Sequence, residues 1–336
     1  MQKTATIKDV AARAGVSLGT VSRVLSKETA VKQHLREKVE VAINELSFRP
    51  NLAARALRTN QIDVLGLIVP DITNPFFAQL AKSIEAEANL RGHSVMLANS
   101  HDDLEAERMH INVLLDRSVR GILIASASDS QAESIESKIP IISLDRRFAK
   151  FPLVSTGHIN SSALIADHLY ELGHRKIAYI AGPQNTEVGR LRLNGFVSRL
   201  EALSKAGDRA DVRIFYAQFD FAAGEKIARQ LLNGDRKDWP TAIAAASDQI
   251  AIGAIRAARD LKVEVPTDLS ITGFDDISLA DLVVPRLTTI RQPTELIAAR
   301  AVQIVFGAGL DAADVTVPGE LIIRESTCPP WSGRLN

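Results

Sequence analysis

Gly15-Val16-Ser17-Leu18-Gly19 fits G-x-S-x-G, the spacing that sets a nucleophilic serine on a sharp strand-to-helix turn in α/β hydrolases. That chemistry needs a strand before Ser17 and a partnered histidine and aspartate. A second dense group, HDDLEAERMH, holds His101, Asp102, Asp103, Glu105, Glu107 and His110. Its spacing departs from H-E-x-x-H, and acid gathered at a helix N-terminus accounts for it without a metal. A third set is dispersed: PDITNPFF, LDRR, GPQNTEVGRLRLNGF, SDQIAIGA, GFDD and TTIRQP bring aromatic rings, carboxylates, amides and guanidiniums. Aromatic faces stack on sugar rings and the polar groups bond hydroxyls, so this set suits a small polyhydroxylated ligand.

The elements that must carry these groups decide among them. Ile7, Val10, Ala11 and Ala14 recur at helical spacing, with Thr6 as N-cap and Asp9 three residues on, so a helix rather than a strand precedes Ser17. Gly15 then ends that helix, and Ser17 caps a second short one with Val21 and Val24 inward. Two short helices about a glycine turn make a helix-turn-helix, whose second helix can enter the DNA major groove. A third helix, from about Lys32 to Leu46, turns Leu35, Val39, Ile43 and Leu46 to the same core. FRPNLAARAL follows, where Pro50 ends one helix and Asn51 caps a two-turn segment running through Leu57, too short to hold without a partner or DNA.

Beyond Gln61, short apolar runs (IDVLGLIVP, SVMLANS, RGILIAS, IPIISL) alternate with helical stretches, and the rhythm restarts at KIAYIAG, VRIFYA, TAIAAAS and LSITGF. Two such series mean two lobes of parallel sheet covered by helices. The dispersed polar groups follow the carboxyl ends of these strands, where open α/β sheets bind ligands.

The 336 residues carry no net charge, yet residues 1–60 hold 11 Lys/Arg against 5 Asp/Glu, and the remainder holds 29 against 35. A basic head on an acidic body points to a polyanion-binding module. The opening residues lack the apolar core of a secretory signal, and no apolar run reaches the roughly 18 residues of a membrane span. The single cysteine, Cys328, excludes an internal disulfide, which fits a cytoplasmic location. No Walker or G-x-G-x-x-G loop follows a strand, so no nucleotide cofactor is expected, and no constellation supports catalysis.

ATIKDVAARAGVSLGTVSRVL and VKQHLREKVEVAINELSFRPNLAARAL resemble the lactose-repressor (LacI/GalR-type) family in sequence, spacing and order, and the likeness continues along the chain. The resemblance implies a homodimeric, effector-responsive transcription regulator on a pseudo-palindromic DNA operator, with no cofactor and no membrane partner. Its fold would be an α/β effector core of two doubly wound parallel-sheet lobes, periplasmic-binding-protein-like, plus an N-terminal all-α helix-turn-helix domain. Expected boundaries are 1–49 for the DNA-binding domain, 50–61 for the hinge helix and 62–336 for the effector domain. Within the last, lobe 1 covers about 62–158 and 291–317, and lobe 2 about 159–290 and 318–336.

By resemblance, Leu18, Gly19 and Arg23 face base edges, with Ser17, Thr20 and Ser22 near phosphates. Arg23 can fork onto a guanine, whereas Leu18 offers apolar contact and Gly19 no side chain. Asn51, Ala54, Arg55 and Leu57 line the hinge, and Leu57 wedges into the minor groove. Pocket roles fall to Asn74, Phe76, Phe77, Asp145 and Arg146 in the first lobe, to Arg192, Phe221, Ser247 and Asp275 in the second, and to Gln292 at the crossover. Ser247 stands where many relatives carry asparagine. No heptad tail follows LIIRESTCPP, so a dimer is the expected assembly. A transport-type sugar receptor would explain the large domain alone, but it requires an export signal and has no use for the basic head.

Overall fold

A computed structural model of the chain describes residues 5–25, 31–48, 62–127, 135, 137–204, 208–307 and 312–330. The chain divides into two compact units, 1–62 and 63–336.

In the first unit, α1 (Ile7–Ala14) begins in a capping box: Thr6 Oγ1 accepts from Asp9 N while Asp9 reaches back to Thr6 N. It stops at Gly15, whose left-handed backbone (φ 65°) suits a residue without a Cβ. Then come α2 (Leu18–Leu25) and α3 (Gln33–Glu45). Val10, Ala11, Ala14, Val21, Val24, Val39 and Ala42 form the core, with Ile43 and Leu46 against it. The helix before Ser17 removes the strand that a nucleophile turn requires.

The second unit is built from parallel sheets. β1 (Val64–Val69), β2 (Ser94–Asn99), β3 (Gly121–Ile124), β4 (Ile141–Leu144), β5 (Leu153–Thr156) and β11 (Val315–Val317) lie in the order β11-β5-β4-β3-β1-β2. β6 (Lys176–Ala181), β7 (Asp211–Tyr216), β8 (Ala242–Ala245) and β9 (Ser270–Thr272) lie in the order β7-β6-β8-β9. Both share the 2-1-3-4 progression of doubly wound folds, with a topological switch beside the first strand.

Helices cover both faces. On the first sheet, α4 (Pro75–Leu90) and α10 (Thr294–Phe306) pack together over the core of Leu65, Leu67, Val69, Leu80, Ile84, Ile297 and Val302. From the other face α5 (Leu104–Asp116) sends Leu114 against Gly66, where any Cβ would collide with it. On the second sheet, α6 (His158–Glu171) and α7 (Glu187–Leu203) cover one face, and α8 (Phe221–Leu231) and α9 (Asp248–Asp260) the other. The chain passes between the lobes after β5, after β10 (Thr289–Arg291) and before β12 (Glu320–Ile322); these last two pair antiparallel. Among the described residues no helix is long and apolar enough to cross a membrane.

Candidate functional site

In the first unit, Ser17 caps α2: its Oγ accepts from Thr20 N at 3.2 Å and bonds the Thr20 hydroxyl at 2.9 Å. Val21 and Val24 are buried, which turns Ser17, Leu18, Gly19 and Arg23 outward and leaves Thr20 and Ser22 half-buried beside them. Arg23 Nε donates to Gly19 O at 3.2 Å, laying the guanidinium along the exposed face of the helix. The expected hinge residues Asn51, Ala54, Arg55 and Leu57 lie outside the described residues.

In the second unit, the loops after the strands of both sheets enclose a cavity of about 460 Å³. From the first lobe come Pro70, Asp71, Asn74, Phe77, Asp102, Leu104, Ala127 and Arg146; from the second come Pro183, Asn185, Thr186, Gln218, Phe219 and Asp220. Phe77 holds the first-lobe wall, with the Arg146 guanidinium 5.5 Å from its ring centre. Arg146 Nη1 donates to Asp102 Oδ1 and to Ser126 O, each at 3.4 Å.

Of the ten expected pocket residues, Asn74, Phe77 and Arg146 line this cavity and seven do not, three of them (Phe76, Phe221 and Ser247) standing apart from the rest. Phe76 is core, edge-to-face on Phe77 with centroids 5.1 Å apart, because α4 starts at Pro75 and turns successive side chains about 100° apart. Phe221 opens α8, is 36% exposed and lies outside the cavity lining; the aromatic ring that enters is Phe219, two residues earlier. Asp220 decides this by capping α8, its Oδ1 accepting from Ala223 N at 2.7 Å, so that Phe219 precedes the helix and points into the cleft. Gly182 permits it, since a Cβ there would strike the Phe219 ring. Ser247 caps α9, accepting from Ile250 N at 3.3 Å.

The remaining residues form a buried polar network linking the lobes. Asp145 follows β4 in the first lobe, and His158, Arg192 and Asp275 belong to the second. His158 Nε2 stands 3.3 Å from Asp145 Oδ1 without hydrogen-bond alignment, and Arg192 Nε donates to His158 Nδ1 at 3.4 Å. Arg192 also donates to Ala246 O at 2.7 Å, pairs with Asp275 Oδ1 at 3.1 Å and lies 3.9 Å from the Phe274 ring centre. Gln292, on the second crossing, donates to Asp275 Oδ1 at 2.8 Å. Asp145 and Asp275 both have positive φ, 56° and 120°, a backbone the surrounding bonds must hold.

Burial works against a charged Asp145, but His158, Arg192 and Arg146 outweigh it and lower its pKa. Burial wins at His158, which stays neutral more readily than a free imidazole, and at Asp275, pushed up to about 6 despite Arg192. Behind them Asp248 is raised well above the usual carboxylate range by burial and by Asp275; its oxygens accept from Ile277 N and Thr289 Oγ1.

His158 was not among the sequence candidates, and neither were Asp71, Asp102, Asn185, Gln218, Phe219 and Asp220 as ligand-facing groups. His158 carried a readable signal, a polar residue directly after a strand. Asp71 and Asn185 lie within the quoted strand-end runs and Asp102 within HDDLEAERMH, whereas Gln218, Phe219 and Asp220 lie outside every quoted run.

Residues 6–51 match the family described as bacterial regulatory proteins, lacI family, and residues 166–327 match the periplasmic binding protein-like domain. The ribose operon repressor of Halalkalibacterium halodurans is 35% identical over 329 residues, covering 96% of this chain and 97% of that protein. The chain belongs to the LacI family. As a LacI-family member it is a DNA-binding transcription regulator and not an enzyme. The lac repressor dimer bound to operator and the anti-inducer ONPF superposes on this LacI-family chain with a TM-score of 0.80 and 28% identity, covering 97% of this chain and 100% of that one. The complex of the transcriptional regulator CelR with cellobiose gives a TM-score of 0.69 and 30% identity, over 96% and 99% of the two chains.

Proposed function

We propose that this LacI-family regulator is a cytoplasmic homodimeric repressor whose affinity for a pseudo-palindromic operator is set by a sugar-like effector bound between its two lobes. The observation that carries this reading is the coexistence, in separate units, of an exposed α2 face presenting Leu18, Gly19 and Arg23 and an inter-lobe cavity with polar and aromatic walls. Ser17, Thr20 and Ser22 are assigned to phosphates and Arg23 to base readout. Residues 1–49, 50–61 and 62–336 are assigned as DNA-binding, hinge and effector domains, with Asn51, Ala54, Arg55 and Leu57 in the minor groove.

Asn74, Phe77 and Arg146, together with Phe219 in place of Phe221, are assigned to effector contact. Asp145, Arg192, Asp275 and Gln292 join both lobes and sense the angle between them. An effector that prefers one angle changes operator affinity by its differential affinity for the two states. Exposed apolar side chains on the first lobe (Leu97, Met109, Val113) and the second (Leu282, Val284) favour a partner copy. Titration of the full-length protein onto operator fragments selected from random DNA, with and without pentoses, hexoses and disaccharides, tests the reading. A shift of operator Kd by one of these sugars is expected; a sugar that binds without moving operator affinity overturns the assignment.

A further inference from the structure

The charge of the cleft narrows the class of effector, and this step rests on the sugar reading above. Among the described residues, Asp71, Asp102 and Asp220 line the cavity with a single cation, Arg146, which is already engaged by Asp102, by Ser126 O and by the Phe77 ring. Behind it Asp145 is answered by His158, Arg192 and Arg146, and Asp275 by Arg192. Among the described residues of the lining, three carboxylates therefore meet one guanidinium.

Helix N-termini at such a site would favour an anion, but here the protein's own side chains close them. Asn74 Oδ1 accepts from Phe76 N behind Pro75, which has no N–H to offer. Asp103, Thr186 and Asp220 cap α5, α7 and α8 in the same way. Two of these four caps are themselves carboxylates, so the dipoles are met before a ligand arrives.

One orphaned polar atom lies on the cavity wall: Arg146 Nε, on a residue more than nine-tenths buried, has no hydrogen-bond partner among the described residues, whereas His158 Nε2 and Asp145 Oδ1 face each other at 3.3 Å outside the lining. Because His158 Nδ1 accepts from Arg192, its Nε2 carries the hydrogen. A ligand hydroxyl can accept from Arg146 Nε and donate to the Asp71, Asp102 or Asp220 carboxylates, whereas a phosphate dianion or a carboxylate group only accepts and cannot donate to them.

We infer that the cleft selects an uncharged polyhydroxylated effector and rejects its phosphate ester or uronic acid, with Asp71, Asp102 and Asp220 as the electrostatic filter in its walls. At water-like screening each carboxylate within contact range disfavours a negative charge by about fivefold and Arg146 offsets one of the three, so the net preference is roughly 25-fold.

The test is thermal melting and calorimetric titration of the full-length chain with matched pairs: D-ribose and ribose 5-phosphate, D-xylulose and xylulose 5-phosphate, D-glucose with glucose 6-phosphate and glucuronate. The neutral member of the binding pair is expected to bind about 25-fold tighter than its anionic partner. The variant combining Asp71→Asn, Asp102→Asn and Asp220→Asn keeps an oxygen that accepts from Thr73 N and Ala223 N, and asparagine tolerates the φ of 55° at position 102. In it the gap is expected to narrow by roughly fivefold per charge removed. An anionic member that binds as tightly as its neutral partner overturns the inference and leaves the sugar reading standing. So does an unchanged gap in the folded triple variant. If no member of any pair binds, the sugar reading itself fails and this inference fails with it.

Discussion

Arg192 and Asp275 form an ion pair sealed inside the second lobe, Nη1 to Oδ1 3.1 Å, with side chains 3% and 7% exposed. Attraction between such charges offsets their desolvation only while both are present, and removing one partner strands the other. Arg192→Met should therefore destabilise the 63–336 unit by about 3–5 kcal/mol in urea unfolding of the full chain. Replacing both, as Arg192→Met with Asp275→Leu, should recover most of that loss while weakening the effect of effector on operator affinity. A single variant as stable as the parent would mean that the pair does not hold the lobe.

Phe219 and Phe221 make a paired prediction, because only the first reaches the cavity. Phe219→Ala should weaken binding of the sugar found by melting by about tenfold or more, since it removes an aromatic wall. Phe221→Ala should stay within about twofold, as expected for a side chain outside the site. Gly182→Ala should resemble Phe219→Ala, since the added methyl occupies the space of that ring. Equal losses from both phenylalanines would place Phe221 in the site after all.

The alternation of strands and helices, the two lobes and the helix-turn-helix were legible because each rests on local periodicity and capping. Thr6 with Asp9, Gly15 and Ser17 announced α1 and α2, and each does in the structure what its type favours. The pocket was legible only as a set of strand-end loops. Within such a loop a shift of one or two residues moves a ring from cleft to core, and the cap of the next helix sets that register. Phe76 and Phe221 fall outside the cavity lining for this reason. His158 escaped notice because its partners, Asp145 in the loop after β4 and Arg192 in α7, are distant in sequence, and only the packing of both lobes brings them together.

Arg23 carries the clearest prediction for the DNA-binding unit. Its neighbours Leu18 and Gly19 lack hydrogen-bonding side chains, so a guanidinium on one base pair should dominate direct readout. Arg23→Ala should reduce discrimination between operator and an operator mutated at that pair by roughly 1–3 kcal/mol in competition binding. Binding to random duplex should weaken far less. Arg23 must first release Gly19 O, a bond that costs little to exchange at an exposed helix surface. Unchanged discrimination would move the readout to another residue.

His174 gives the pH dependence of folding. Its Nδ1 meets Thr241 Oγ1 at 3.0 Å and its Nε2 meets Cys328 O at 2.9 Å, while burial lowers its pKa to about 4. Above the ordinary histidine pKa of about 6.5 both folded and unfolded chains are neutral there, and the site has no effect on the pH slope. As pH falls from 6.5 toward 4, the unfolded chain takes up a proton that the folded chain resists, so stability is lost through that window. The loss approaches about 2 kcal/mol by pH 5 and about 3 kcal/mol near pH 4. His158 and His168, also lowered by burial, act in the same direction, and Asp275, raised to about 6, acts against them. Comparison with His174→Gln isolates the single group: the variant should be less stable at pH 7.5 yet lose less between pH 6.5 and 5 in urea unfolding. Parallel slopes for parent and variant would assign the acid sensitivity to other groups.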